Sequence, residues 1–167
     1  MARSVPKAEL DRRMDELRAA CKRAGIKLTH QRLEIFREIA ASLRHPNAEM
    51  VFQVLQARMP TLSLDTVYRT LSTLSELGVV TPLGPRRESV RFDANLSRHH
   101  HYVCLSCGCT RDFESAALDG VELPSTVQRF GSVRVVQIEV RGLCLRCAKA
   151  APKSKQHQSP TTRRRTT

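Results

Sequence analysis

The chain has 167 residues, 41% of them hydrophobic, with 28 Lys+Arg against 16 Asp+Glu, six Cys and no Trp. No run approaches the roughly 18 apolar residues of a membrane helix, and no apolar stretch follows the basic N-terminus, so neither membrane insertion nor secretion is expected and a cytoplasmic location is. A length that suits one ordinary domain or two small ones carries a net charge of +12, which points to a polyanionic partner such as nucleic acid, and reduced intracellular cysteines point to metal or redox chemistry rather than disulfides.

The first stretch, residues 1–92, holds 16 Lys+Arg and 10 Asp+Glu and reads as helices. Leu10, Met14, Leu17 and Cys21 recur at helical spacing up to a stop at Gly25. Thr29 can cap a second helix from His30 to about Ser42, with Leu33, Phe36, Ile39 and Ala40 on one face. Asn47 can cap a third, with Val51, Val54, Leu55 and Met59 inward until Pro60 ends it. Ser63 can cap a fourth, whose Leu64, Val67, Leu71, Leu74 and Leu77 face inward before Gly78. VVTPLGPRRESVRF then reads as a hairpin, two β-branched runs around a Pro/Gly turn with an Arg pair at its tip. Short helices followed by a basic hairpin are the order of a winged helix-turn-helix.

If the leucines of the fourth helix are buried, Thr66, Arg69, Thr70 and Thr73 point outward, with Tyr68 at the edge of that face. Arg can bond guanine with two donors, and Thr or Tyr can reach phosphates or thymine methyls. Few acidic residues share the face, and Arg86 and Arg87 in the hairpin tip would sit on the backbone beside it. A helical bundle with a Thr-rich solvent face is the plainer alternative.

Residues 93–150 are nearly neutral, with 7 Lys+Arg and 6 Asp+Glu, and read as a small α+β unit. Strands are predicted at His99–Cys104, Thr110–Phe113 and Arg134–Val140, with a helix over Ser115 to Arg129 that is shortened near Pro124. An exposed strand edge there could pair with a second copy. Two CxxC pairs, Cys104 with Cys107 and Cys144 with Cys147, can supply a closed tetrahedral thiolate set for zinc. The 36 residues between them would be clipped into one loop, with Gly108 and Gly142 allowing tight backbone beside each pair. Redox CxxC motifs or an iron–sulfur cluster are the alternatives. Cys21 and Cys109 read as inert, buried or half-buried thiols. On a strand, His99 and His101 share a face while His100 points away, and Asp93 and Asp112 are nearby carboxylates. The end of the chain, residues 151–167, has five basic and no acidic residues and no apolar period, so it reads as a disordered basic tail.

The segments LTHQRLEIF, HPNAEMVFQVL, LSLDTVYRTLSTLSELGVV, RFD, HHHYVCLSCG and CLRC, in that order, resemble the ferric uptake regulator (Fur) family across residues 10–150. The resemblance implies a homodimeric, metal-dependent bacterial repressor that binds a double-stranded DNA operator. Residues 1–92 would form its winged-helix domain and residues 93–150 a dimerisation and metal-sensing domain. It implies structural Zn2+ on Cys104, Cys107, Cys144 and Cys147, and regulatory Fe2+ or Mn2+ on His45, Asp93, His99, His101 and Asp112. Asp rather than Glu at position 112 resembles the peroxide-sensing (PerR-type) branch, in which iron-catalysed oxidation of a ligand His, here His45, His99 or His101, would release the metal. The alternative is an iron-uptake repressor that reads metal supply. A further regulatory site of some relatives needs a His where this chain has Val135-Val136-Gln137, so it is not expected, and His100 is left facing solvent.

Other classes fit less well. A zinc-bearing enzyme would need a nucleophile–base pair or phosphate loop that the sequence does not display, so an enzyme is not expected, nor a small-molecule substrate beyond peroxide as signal. An RNA reader would be expected to show stacking aromatics, yet there are two Tyr and five Phe, with Phe36 and Phe52 reading as core.

Overall fold

The computed structural model describes residues 5–84, 90–133 and 136–150. Helices α1 (Lys7–Arg23), α2 (His30–Ala40), α3 (Ala48–Gln56) and α4 (Leu64–Glu76) come first, followed by the antiparallel pair β1 (Thr81–Leu83) and β2 (Arg91–Asp93). Next are β3 (His100–Cys104), β4 (Thr110–Phe113), short helices α5 (Ala116–Asp119) and α6 (Ser125–Gln128), β5 (Glu139–Gly142) and α7 (Leu145–Ala150). This is the α+β architecture expected, with the helices and β1–β2 pair in winged-helix order.

Local chemistry starts the helices. The side chains of Thr29, Asn47 and Ser63 accept hydrogen bonds from the backbone N–H of Arg32, Met50 and Thr66 at 3.3, 2.9 and 3.1 Å. Each satisfies a donor that the first helical turn would leave unpaired. One apolar core joins all four helices and β2, with Leu17, Ile35, Phe36, Val51, Leu55 and Leu71 among its fully buried side chains. Helix α3 stops at Gln56, well before Pro60, and its Val54 is 47% exposed rather than inward. Ala48 and Val51 with Leu55 already fill the inner stripe, so Val54 falls about a sixth of a turn outside it.

The second sheet has the order β4-β3-β5, with β3–β4 antiparallel and β3–β5 parallel. Strand β5 lies nearer the C-terminus than the predicted Arg134–Val140, and residues 134 and 135 are outside the described residues. Its register runs from His101↔Glu139 to Cys104↔Gly142. Gly142 leaves room for Tyr102 there: a Cβ would lie 2.9 Å from the Tyr102 hydroxyl and would require that ring to shift. The predicted helix over 115–129 is two single turns, because Gly120 ends α5 and Pro124 stands at the N-cap of α6. Helix α7, which follows Cys144, was not anticipated. Among the described residues no helix is long and apolar enough to cross a membrane. The Arg86–Arg87 tip and the 151–167 tail lie outside the described residues.

Candidate metal centres and recognition helix

Four sulfurs meet at one end of the second sheet. Cys104 closes β3, Cys107 follows it in a turn, Cys144 precedes α7 and Cys147 lies in its first turn. Gly108, at φ +65°, lets the turn fold back so that its N–H donates to the Cys104 carbonyl at 2.8 Å. The four sulfurs all lie within 4.8 Å of one another, with Cys107 Sγ 3.9 Å from Cys144 Sγ. Thiolates ~2.3 Å from one tetrahedral ion would stand ~3.8 Å apart, close to the Cys107–Cys144 separation, so the set is suited to zinc. The backbone N–H groups of Cys144 and Cys107 favour the Cys104 thiolate and bring its pKa down to about 5, the form a metal binds. Burial instead pushes the Cys109 thiol up to about 12, which keeps it protonated, and Cys21 is buried in the helical core.

The second cluster draws on four separate segments. His45 comes from the α2–α3 connection, Asp93 ends β2, His99 immediately precedes β3, His101 is its second residue, and Asp112 is on β4. Alternation along β3 turns His99 and His101 to one face, and the register His101↔Asp112 brings the carboxylate across to them. His45 Nε2 is 2.9 Å from Asp112 Oδ1 and 3.5 Å from Asp93 Oδ1. His99 Nε2 is 2.9 Å from Asp93 Oδ2 and 3.0 Å from His101 Nε2. One ligand atom from each of the five lies within 4.8 Å of all the others.

This geometry answers whether the group suits an ion. Two ligands at right angles on an ion ~2.1 Å away stand ~3 Å apart, the spacing of the two imidazole nitrogens. Asp93 is 4% exposed and its Oδ2 makes no well-aligned hydrogen bond despite three imidazoles beside it. Burial opposes charge on Asp93, but His101, His45 and His99 hold its carboxyl far below the usual range. Burial likewise opposes a charged His45, yet Asp112 and Asp93 raise it to about 9. The buried Asp93 and the more exposed Asp112 therefore stay anionic and favour a cation in their midst. Three imidazoles with two carboxylates make a mixed nitrogen–oxygen set suited to Fe2+ or Mn2+. Asp112 is the exposed member, its side chain 26% accessible, and it borders a cleft of about 1080 Å3 lined also by Arg44, Arg91, Cys107 and Arg111.

His100 does not face solvent. It is fully buried on the other face of β3, its ring 5.5 Å from that of Phe113 and its Nε2 3.3 Å from Asp119 Oδ1. Arg98 also holds Asp119, at 3.1 Å. Strand alternation turned His100 away from the cluster correctly; only the later helix α5 covers it, and no local pattern announces that. Val135 lies outside the described residues.

The outer face of α4 departs from expectation at Thr70, which is buried at 5% exposure. It sits three residues after Val67 and four before Leu74, and so shares their inner stripe. Tyr68 and Arg69 are exposed, Thr66 Oγ1 bonds the capping Ser63 at 2.8 Å, and Thr73 donates to the Arg69 carbonyl at 3.0 Å. Carboxylates are closer than expected, with Arg69 paired to Asp65 at 2.9 Å and the Tyr68 hydroxyl donating to Glu49.

Residues 23–140 match the Ferric uptake regulator family. The peroxide-responsive repressor PerR of Staphylococcus epidermidis is 34% identical over 83% of this chain and 92% of its own length. The Helicobacter pylori ferric uptake regulator Fur, a protein with three functional metal binding sites, superposes with a TM-score of 0.68 at 22% identity, over 87% of this chain and 96% of that one. The ferric uptake regulator of Francisella tularensis, solved with iron, superposes with a TM-score of 0.62 at 26% identity, over 74% and 96% of the two chains.

Proposed function

The chain belongs to the ferric uptake regulator family, and from that premise we propose that it is a metal-dependent transcriptional repressor of the peroxide-sensing kind. The observation that carries this reading is the buried cluster of His45, Asp93, His99, His101 and Asp112, with Asp rather than Glu at its exposed corner. Residues 1–92 act as the winged-helix DNA-binding domain, residues 93–150 as the dimerisation and sensing domain, and residues 151–167 as a basic tail. Cys104, Cys107, Cys144 and Cys147 hold structural zinc. That set closes the coordination sphere and leaves no position for a substrate, which fits a cytoplasmic regulator rather than an enzyme.

In DNA recognition, α4 presents Tyr68 and Arg69 with Thr66 and Thr73 to a duplex; Arg86 and Arg87, outside the described residues, are assigned phosphate contacts from their sequence position alone. The Arg69–Asp65 and Tyr68–Glu49 pairs open as phosphates or bases take over the donors. Dimerisation uses the second region, where Phe130 is 87% exposed and β5 stands at the edge of the sheet order.

The regulatory cluster couples these parts. His45 comes from the helical region, Asp93 from the end of β2, and the other three from in or beside the second sheet, so an ion held by all five would fix the angle between the two regions. Bound Fe2+ would supply the reactivity toward hydrogen peroxide that the side chains lack. The chain contributes imidazoles held within reach and a cleft that opens at Asp112. An imidazole that gains one oxygen atom, with water as the other product, loses its place as a ligand and the two regions are released. Mn2+ in the same set would support DNA binding without sensing.

The test is a DNA-binding titration of the iron and manganese forms before and after peroxide, with mass spectrometry of the protein. Expected are loss of binding by the iron form alone and an added oxygen at His45, His99 or His101. Oxidation confined to Cys would overturn the reading. Asp112→Glu should blunt the peroxide response while leaving metal-dependent DNA binding in place; an iron form of the wild type that keeps its DNA binding after peroxide would favour a repressor that reads iron supply.

A further inference from the structure

His45 is the one residue other than glycine among the described residues with positive φ, at 49°. A side chain disfavours that left-handed conformation, and the residue before a proline, here Pro46, is restricted further. The strain sits at 2% exposure and at the one cluster ligand carried by the α2–α3 connection. Something must hold the backbone there.

Arg91 is placed to do so. Its Nη1 donates to the carbonyl of His45 at 3.0 Å and to that of Arg44 at 3.3 Å. A guanidinium bonding two successive carbonyls is a charge-assisted fork, stronger than the neutral bonds of an ordinary turn. The same strand adds a bond from Phe92 N–H to the Pro46 carbonyl at 3.0 Å. On its other side Arg91 meets the zinc-side turn, where a Cβ on Gly108 would lie 3.4 Å from Nη2. Strand β2 thus grips His45 twice. Arg91 takes the main chain, and Asp93, two residues on and on the same face, takes the imidazole at 3.5 Å.

We propose that Arg91 is a positioning residue for the regulatory metal: it holds the His45 backbone in its left-handed turn, and so delivers the one imidazole that ties the helical region to the ion. Resting on the ligand set of the preceding section, this makes β2 a link from the wing to the metal through two side chains. Without Arg91 the turn relaxes and His45 leaves the cluster, while His99, His101, Asp93 and Asp112 keep their places.

The experiment uses full-length, zinc-loaded protein with Mn2+, comparing wild type, Arg91→Ala, Arg91→Lys, His45→Ala and the Arg91→Ala/His45→Ala double variant. Pulsed EPR counts imidazole nitrogens on the ion, and a titration gives affinity. Wild type should show three imidazoles. Arg91→Ala should show two and bind about tenfold more weakly, the scale of one strained residue released. Arg91→Lys, which restores a cationic donor, should recover the third. Added to His45→Ala, Arg91→Ala should change affinity less than twofold. Three imidazoles in Arg91→Ala, or a tenfold loss that persists when His45 is already absent, would overturn the role. If Arg91→Ala does not fold, Arg91→Met, which keeps the stem but carries no donor, makes the same comparison, and a full count of three imidazoles there counts against it. Fewer than three in wild type would overturn the ligand set itself, and the role of Arg91 with it.

Discussion

In the helical region most buried side chains are aliphatic or aromatic, from Met14 on α1 to Phe92 on β2, and close into one apolar core, with Arg13, His45 and Thr70 the buried polar exceptions. Beyond Ala94, the buried residues among those described are His99, His100, His101, Cys104 and Thr110. What the first region does with hydrocarbon, the second does with groups that cost free energy to bury unless they are paired or coordinated. Its large apolar side chains are largely outside, Phe130 and Leu145 most of all. The contrast suits a metal-dependent repressor, and it predicts that the helical region keeps its fold without metal while the second region depends on it.

Removing zinc is the strongest way to break this contrast. Structural zinc contributes an apparent ~10 kcal/mol or more to folding of small metal domains. Chelation, or Cys144→Ser with Cys147→Ser, should therefore unfold the β4-β3-β5 sheet while α1–α4 remain folded. Amide exchange resolved by segment would show protection lost over 100–142 and kept in the helices. A single transition in which both regions melt together would mean that the helical core leans on the sheet, and the comparison would fail.

Next in size is the converse. Phe36 is 1% exposed at the centre of the helical core, and Phe36→Ala should cost about 3–5 kcal/mol through lost burial and the cavity left behind. Thermal melting should fall for the helical region alone, with zinc content unchanged. Zinc lost from the folded variant would show that the thiolate set is not autonomous.

The same contrast explains what could be read in advance. The core of the helical region follows a 3.6-residue period, so caps at Thr29, Asn47 and Ser63 and the inner leucines of α4 were legible from neighbouring residues. The misses there are positions at the stripe's border: Thr70, a polar residue on the inner face, and Val54, an apolar one outside it. In the second region the two CxxC spacings and the His99/His101 alternation were legible, because each is a local pattern with its own geometry. Burial of His100 was not, since it depends on Asp119 and Phe113 folding over it. Nor was the left-handed turn at His45, which Arg91 imposes from 46 residues away. Long-range contacts leave no period to find.

The smallest effect sharpens the comparison from its electrostatic side. On α1, Glu9 accepts from Arg12 at 2.8 and 2.7 Å and from Arg13 at 2.7 Å. Arg12 first and Arg13 with it bring its pKa from 4.5 down to about 2, against the opposing effect of burial. A lowered folded-state value means that the stabilisation is complete above about 4.5 and disappears as pH falls toward about 2. Glu9 is 30% exposed, so water screens the pairs and the contribution is about 0.5 kcal/mol. Glu9→Gln keeps an acceptor for Arg13 and removes only the charge. Denaturant unfolding of the helical region should show that small deficit at pH 7, closing as the pH drops below 4.5. A deficit above about 2 kcal/mol would be well outside the range of a surface pair. It would mean that charge as well as hydrocarbon holds the helical region, and that the two regions differ in degree rather than in kind.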